Sequence, residues 1–145
     1  MKLVVQRVQQ ASVKVRGEIV GQIGAGLLVL VGIHKDDDGS EIKWLANKLV
    51  GLRIFEDADE KMNLSVQEIE GEILVISQFT LYGDSSKGRR PGFSEAAMPK
   101  VALKHYQNFA EALSNLGIKP QEGIFGEHME VSLINDGPVT MIIEK

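Results

Sequence analysis

Cysteine is absent from this chain, and proline and tryptophan are scarce, with four and one among 145 residues. The lack of cysteine excludes disulfides, a thiol nucleophile and any metal site built from thiolates. No apolar run approaches the roughly 20 residues that span a bilayer, and the N-terminus becomes polar too early for a secretion signal. Aromatic residues make up only 6% of the sequence. These absences predict a cytoplasmic protein without a membrane partner.

Motifs that mark the commoner hydrolases are missing as well. There is no HExxH, no Gly-x-Ser-x-Gly, and no histidine pair with the spacing of a metal site. His128 and Glu130 spell H-x-E, but the Pro-Cys-x-x-Cys half of the deaminase signature requires cysteine. The glycine-rich segment 21–26 lacks the Lys-Ser/Thr ending of a phosphate loop. We therefore expect no metal and no cofactor, and an enzyme here would work through main-chain groups and positioned water.

Size and composition fit one domain, residues 1–145, because 43% hydrophobic residues supply a sizeable core. The net charge of −4 argues against indiscriminate nucleic-acid binding, which depends on neutralising phosphates. One segment is basic although the whole chain is acidic: residues 87–104 contain five basic side chains and a single acidic one, Glu95. The five are Lys87, Arg89, Arg90, Lys100 and Lys104. This segment predicts one basic edge on an acidic protein.

Valine- and leucine-rich runs predict strands. Residues 3–8 and 11–15 suggest an opening hairpin, and the Asp136-Gly137 turn signal between two later runs suggests a closing one. Residues 26–33 are apolar on both faces and are expected at the centre of the sheet. The other predicted strands are 18–23, 52–55, 72–81, 129–134 and 139–143.

Two helices are predicted from apolar residues at a spacing of three and four. The first follows Ser40, a plausible N-cap, and ends near Gly51. The second runs from Pro99, a residue suited to a first turn, to Leu116, where Gly117 can stop it. A polar turn is expected at 57–62, and the composition of 83–92 predicts a loop. The fold class is therefore α+β, with mainly antiparallel strands and two helices.

Two short strings carry the functional signal. Ser77-Gln78-Phe79-Thr80-Leu81 and Asn135-Asp136-Gly137-Pro138-Val139-Thr140 each follow an apolar strand-like run. Strand ends are where a rigid scaffold can present main-chain groups to a substrate. Together the two strings resemble the paired signature of the D-aminoacyl-tRNA (D-tyrosyl-tRNA(Tyr)) deacylase family. Other strings resemble the family in order and spacing along the full chain: Gln6-Arg7-Val8, Ala11-Ser12-Val13, Gly24-Ala25-Gly26-Leu27, Arg53-Ile54-Phe55 and Lys61-Met62-Asn63-Leu64.

The resemblance implies a barrel-like core and hydrolysis of the ester between a D-amino acid and tRNA. It implies a homodimer in which the catalytic segment of one subunit, Ser77, Gln78, Phe79 and Thr80, meets Gly137 and Pro138 of the other. The Gly-Pro bond is cis in the family, and its carbonyl groups exclude L-amino acids. Glycine cannot be excluded in this way, so glycyl-tRNA mischarged on tRNA(Ala) is an expected substrate. The tRNA's own 2′-hydroxyl is implied to help orient the water.

The resemblance also suggests supporting roles, each with a structural alternative. Arg7 is implied to fix the Gly-Pro turn, although an arginine in such a strand can also extend to solvent. Phe125 and Met129 are placed near the pocket mouth, or are plain core residues. The charges of the basic loop, Lys87, Arg89 and Arg90, and not the resemblance, suggest contacts with tRNA phosphates, and the alternative is an ordinary solvated loop. Thr80 is a positioning group in preference to a nucleophile, because no histidine partner is evident in the sequence.

The sequence is compatible with two other functional classes. A non-catalytic RNA-binding module is supported by the basic loop, but the few aromatic residues argue against stacking on bases. An editing domain of a synthetase is the second class, since the fold recurs as the N-terminal domain of archaeal threonyl-tRNA synthetases. Related animal deacylases that act on L-alanine carry Pro-Gln and a different residue after Gly-Pro. Ser77 and Val139 therefore resemble the D-specific side.

Overall fold

The computed structural model describes residues 1–145 and contains eight strands, two α-helices and one 3-10 helix. In chain order the elements are β1 (Lys2–Val15), β2 (Glu18–Ile23), β3 (Gly26–Gly32), α1 (Ile42–Val50), β4 (Phe55–Glu56), β5 (Met62–Leu64), β6 (Glu72–Ser77), the 3-10 helix (Phe79–Tyr82), α2 (Pro99–Asn115), β7 (Gln121–Glu122) and β8 (Glu130–Glu144). Neither α-helix combines the length and apolarity that crossing a bilayer requires.

Strand β1 organises the main sheet because it is paired on both edges. Its first half, Lys2 to Val8, pairs with β3, and its second half, Ala11 to Val15, pairs with β2. Its other edge is antiparallel to β8 along almost the whole of both strands. The sheet order is β2-β1-β3-β6-β7, with β8 beside β1, and β4 and β5 form a separate hairpin. Strand β3 is thus central, as its apolar sequence predicts.

The sheet is mixed. The three pairings of β1 are antiparallel, whereas β6 runs parallel to both β3 and β7. Strand β2 also approaches β6 and β7, so the sheet curls into a nearly closed barrel. The predicted α+β class with two helices and a barrel-like core is confirmed, and the parallel pairs are a refinement of it.

Hydrophobic cores cover both faces of this sheet. Side chains at alternate positions of β3, such as Leu27 and Val29, join the larger core with α1 and α2. Leu28, on the opposite face, joins a smaller core with Val13 of β1 and Leu74 of β6. Burial on both faces is the physical reason why β3 has no polar alternation.

Both predicted hairpins are wrong. Residues 3–8 and 11–15 belong to the single strand β1, and the predicted strands 129–134 and 139–143 both fall in β8, which begins at Glu130. The Asp136-Gly137 signal marks a bulge inside β8 and not a reversal of the chain, because β8 resumes its pairing with β1 on both sides of it. Turn residues such as Asp and Gly interrupt a strand, and the interruption can be a hairpin turn or a bulge. Here the pairing of β8 with β1 on both sides makes it a bulge.

Other differences are local. The predicted strand 72–81 ends at Ser77 and continues as the 3-10 helix, and the predicted strand 52–55 begins only at Phe55. Helix α1 starts at Ile42 without a side-chain cap, so Ser40 does not cap it. Instead Ser40 donates its N–H to Asp38 Oδ1. The predicted limits of α2, set by Pro99 and the turn at Gly117, are confirmed to within one residue.

Gly26 provides a test of the β3–β6 pairing. A Cβ on Gly26 would lie 1.9 Å from the carbonyl oxygen of Glu72, so Gly26→Ala must displace the backbone of β6. We expect a loss of roughly 1–3 kcal/mol in the free energy of unfolding, measured by urea denaturation. Gly92→Ala is the matched control, because nothing lies within 4 Å of its Cβ position. Equal stability of the two variants would contradict the tight strand contact.

Candidate active site

The Ser77-to-Leu81 string lies where β6 leaves the sheet. Ser77 is the last residue of β6, and the Gln78 N–H donates to the carbonyl of Val31 on β3 at 2.8 Å. The chain then tightens into the 3-10 helix, with Leu81 N–H bonded to the carbonyl of Gln78. The first residues of this string are therefore fixed to the centre of the sheet.

The same turn leaves main-chain donors free of helical partners. Phe79 and Thr80 are the first two residues of the 3-10 helix, and the first N–H groups of a helix have no acceptor within it. The Phe79 and Thr80 residues are exposed, whereas Ser77 and Gln78 are half-buried. The Gln78 side-chain amide donates to Thr80 Oγ1. Thr80 is thus oriented by its neighbour.

A cavity of about 610 Å³ opens beside this segment. Its lining comes from three parts of the chain: 76–79 at the end of β6 and beyond it, Phe93 with 96–99 up to the first residue of α2, and 125–129 with Val131 before and in β8. Nine of its fifteen lining residues are hydrophobic, which is typical of a small-molecule site with a few polar groups. The structure brings Ser77, Gln78 and Phe79 together with Phe125 and Met129 in this one cavity.

Aromatic pairs build the walls. Phe79 and Phe93 meet edge to face, with their ring centroids 5.1 Å apart. Phe125 packs on Tyr106 of α2 at 5.9 Å between centroids. The buried Tyr106 hydroxyl donates to the carbonyl of Val75 at 2.9 Å, and burial raises its pKa. This links α2, β6 and the cavity wall.

The segment that carries Phe93 is anchored to the residues that follow β3. Lys35 N–H donates to the Glu95 carbonyl at 2.9 Å, and Lys35 Nζ lies 3.0 Å from Glu95 Oε1. The hydrogen bond from Lys35, together with a contact to His34, lowers the pKa of Glu95. These contacts tie the irregular segment 93–98, which forms one wall of the cavity, to the segment after β3.

Sequence reasoning missed several lining residues, including Phe93, Met98, Glu127 and His128. Glu127 and His128 are the only ionisable residues in the lining, and Glu127 is paired with Arg16 at 3.1 Å. Glu127 and His128 lie between the predicted pocket residues Phe125 and Met129, and this position in the sequence could have identified them as lining residues. No group of three or more His, Asp or Glu side chains is arranged to hold a metal ion.

The Asn135-to-Thr140 string forms the bulge of β8. Across from it, Gln6 pairs with Thr140 and Val8 with Asn135, so the single residue Arg7 faces the segment 136–139. The Gly137–Pro138 peptide bond is cis, and both residues are exposed. Neither residue lines the cavity of its own chain.

Glycine is required in this bulge for two reasons. Gly137 has φ +134°, a conformation that side chains disfavour. A Cβ at this position would also lie 2.8 Å from a methyl group of Val139 and 3.2 Å from Arg7 Nη2. A side chain at position 137 would therefore collide with Val139 and with the buried Arg7.

Arg7 is buried behind the bulge, with 4% of its surface exposed. Its Nε donates to the carbonyl of Asp136 at 3.0 Å, and its Nη1 donates to the carbonyl of Ile54 at 2.6 Å. The carboxylates of Asp136 and Glu56 lie 3.4 and 3.6 Å from the guanidinium and offset its charge. Arg7 therefore does not extend to solvent but joins the bulge to the β4–β5 hairpin.

The basic loop projects away from the fold. Asp84 and Gly92 close its base with two main-chain hydrogen bonds of 2.8 Å. The side chains of Lys87, Arg89 and Arg90 are exposed and form no ion pair with an acidic residue. Phe93, one residue beyond the loop's base, lines the cavity. The basic loop is therefore followed directly in the chain by a residue of the cavity lining.

Comparison with known families gives a match over almost the entire sequence. A family model described as D-Tyr-tRNA(Tyr) deacylase matches residues 4–144. The chain belongs to this family. A D-aminoacyl-tRNA deacylase of Thermosipho africanus is 54% identical over 144 residues, covering 99% of this chain and 97% of that protein. The protein of the same name from Desulfatibacillum aliphaticivorans is 57% identical, with 99% of each chain covered.

Solved structures agree with the deacylase fold. A protein described as "c-Myc DNA Unwinding Element Binding Protein" superposes with a TM-score of 0.93 at 42% identity, covering 100% of this chain and 99% of that one. A second, described as a "probable eukaryotic D-amino acid tRNA deacylase", has a TM-score of 0.84 at 19% identity and covers 98% and 97%. At that identity the second likeness supports the fold alone.

The Arg7 contacts of this deacylase-family chain generate a stability prediction. Arg7→Lys keeps the charge, but one ammonium group cannot reach the carbonyls of both Asp136 and Ile54 in the planar geometry of a guanidinium. We expect the free energy of unfolding to fall by roughly 1–3 kcal/mol, because a buried carbonyl loses its donor. Arg16→Lys, at an 81% exposed side chain, is the control and should change stability little. Equal urea midpoints for both variants would contradict the bridging role.

Proposed function

We propose that this protein hydrolyses the ester bond of D-aminoacyl-tRNA and releases the free D-amino acid and tRNA. The observation that carries the proposal is the full-length match to the deacylase family, with relatives of that name more than half identical over the whole chain. The family string Ser77-Gln78-Phe79 also borders a cavity of suitable size for an aminoacylated ribose. The activity is that of a hydrolase in chiral proofreading.

The proposed chemistry uses main-chain groups. Hydrolysis requires a held carbonyl, a water molecule and stabilisation of the developing oxyanion. The N–H groups of Phe79 and Thr80, at the start of the 3-10 helix, can stabilise this charge, an effect of roughly 3 kcal/mol per donor in other enzymes. In this proposal the 2′-hydroxyl of the substrate helps orient the water.

Thr80 acts in this proposal by position. Its Oγ1 accepts a hydrogen bond from Gln78, which fixes the hydroxyl relative to the turn. A nucleophilic threonine requires a base that takes its proton. Of the two ionisable residues in the cavity lining, Glu127 is engaged by Arg16, and neither it nor His128 is hydrogen-bonded to Thr80, whose side-chain partner is Gln78. A positioned Thr80 therefore fits the geometry better than a covalent intermediate.

The proposed site is completed by a second copy of the chain. Gly137 and Pro138 are exposed on β8 and do not line the cavity of their own chain, so they are free to enter another. Strand β8 also has an edge without a partner strand, and three of its apolar side chains are exposed. These are Ile134, Met141 and Ile142. Unpaired edges with apolar side chains favour association with another chain.

The stereochemical selection is proposed to work by exclusion. In the assembled site, the carbonyl groups of Gly137 and Pro138 hold the α-amino group and occupy the space that an L side chain would need. A D side chain points away from this main chain, so many D-residues are accepted. Glycine has no side chain to exclude, and glycyl-tRNA mischarged on tRNA(Ala) is therefore a proposed substrate.

The main prediction concerns three substrates. Purified protein should release D-tyrosine and glycine, but not L-tyrosine, from the corresponding charged tRNA, with hydrolysis in protein-free buffer as the baseline. Release is measured from tRNA labelled at the 3′-terminal adenosine. Binding without hydrolysis would instead identify an RNA-binding module. Rejection of glycyl-tRNA as strongly as L-alanyl-tRNA, across tRNA species, would overturn selection by exclusion.

A second prediction concerns the basic loop, which we propose to contact tRNA phosphates. Reversing the charges of Lys87, Arg89 and Arg90 to Glu should raise the KM for charged tRNA. It should also reduce the slope of log affinity against log salt by about one for each lost phosphate contact. A matched control reverses three exposed lysines elsewhere, Lys14, Lys61 and Lys119. The same slope in both triple variants would place the tRNA on another surface.

A further inference from the structure

The side chain of Asn135 replaces the strand pairing that the β8 bulge removes. Because Arg7 alone faces the segment 136–139, Val139 has no residue opposite it on β1. Val139 is nevertheless buried, so its peptide groups need partners within the protein. Asn135 Oδ1 accepts the Val139 N–H at 2.7 Å, and Asn135 Nδ2 donates to the Val139 carbonyl at 3.2 Å. One amide thus satisfies both groups, as a neighbouring strand residue would.

A second set of contacts fixes the orientation of this amide. Asn135 Nδ2 also lies 3.2 Å from Thr140 Oγ1, which accepts a hydrogen bond from Gln6 Nε2 as well. The nitrogen therefore faces two acceptors, and the oxygen faces an N–H donor. Rotating the amide by half a turn would place like groups against each other, so only one orientation is satisfied.

The bulge is consequently held at both ends by different side chains. Arg7 binds the carbonyl of Asp136 on one side, and Asn135 binds both peptide groups of Val139 on the other. Only Gly137 and Pro138 remain between the two anchors. A segment of two residues with both flanks fixed has little freedom to shift.

We infer that Asn135 is a positioning residue for the stereochemical filter. It holds the exposed Gly137–Pro138 main chain in a single place relative to β8, and this inference rests on the proposed function. Exclusion of an L side chain requires main-chain atoms that do not yield, so losing the Asn135 anchor weakens selection. Asn135 itself touches no substrate in this account.

Two variants separate the hydrogen bonds. Asn135→Ala removes all three contacts of the side chain, and Asn135→Asp retains the acceptor for Val139 N–H but loses both donations from Nδ2. The matched control is Asn47→Asp on α1, where Asn47 Nδ2 donates to the carbonyl of Lys43 at 2.7 Å, also four residues away. Thermal unfolding of each variant is measured first, and activity is assayed well below the lowest midpoint.

The readout is the ratio of single-turnover rate constants for D-tyrosyl-tRNA and L-tyrosyl-tRNA. We expect this ratio to fall roughly tenfold in Asn135→Ala and in Asn135→Asp, the size expected for the loss of about one net hydrogen bond at a partly buried site. The Asn47→Asp ratio should equal that of the wild type. A merely structural residue would change the unfolding midpoint and leave the ratio of the folded protein unaltered.

Each alternative outcome has a distinct meaning. Folded Asn135 variants with ratios within twofold of the wild type would overturn the positioning role. Failure of Asn135→Asp to fold would also overturn it, because Asn135 would then be a general structural residue. A wild-type protein without preference for the D substrate would overturn the proposed function instead, before any variant is considered.

Discussion

Pairing of β1 on both edges is the constraint on which the rest of the structure depends. One edge of this strand is shared between β3 and β2, and the other is occupied by β8. Side chains alternate between the faces of a strand, so a slip of one residue would turn Leu3 and Val5 out of the core. The register of the whole barrel is therefore set by one strand, and the position of the β8 bulge is set with it.

An arginine and a Gly-Pro pair, each unusual in its strand, explain each other. An arginine in the valine-rich β1 would be costly to bury alone, since a charge without partners is strongly disfavoured in a protein interior. A Gly-Pro pair inside β8 cannot continue the ladder, since proline has no N–H. The bulge at Gly137–Pro138 turns the Asp136 carbonyl toward Arg7, and Ile54 supplies a second carbonyl. The carbonyl that the bulge exposes thus provides an acceptor for the buried Arg7, and Arg7 provides a donor for that carbonyl. Such exceptions to the local rules of a strand are expected at functional positions.

Local signals predicted those elements whose limits are set locally. Pro99 and Gly117 bracket α2, and the unbroken apolar sequence of β3 indicated its central place. The Asp136-Gly137 signal was misread because a turn dipeptide fits a hairpin and a bulge equally well, and only pairing with β1, over a hundred residues away, decides between them. The cavity was predicted in part for a similar reason. Phe93 and His128 come from segments that only the tertiary fold brings beside Ser77.

Both halves of the proposed site lie on rigid elements, and this bears on how chirality can be read. Enantiomers differ only in the exchange of a hydrogen and a side chain at Cα, so exclusion demands main-chain atoms fixed to a fraction of an ångström. Ser77 ends β6, which is paired on both edges, and Gly137 and Pro138 lie between the anchored residues Asp136 and Val139 on β8. Side chains can rotate to admit the wrong enantiomer, whereas a main chain tied to the barrel on both sides cannot. The proposed filter thus derives its selectivity from the same pairing of β1 and β8 that sets the register of the sheet.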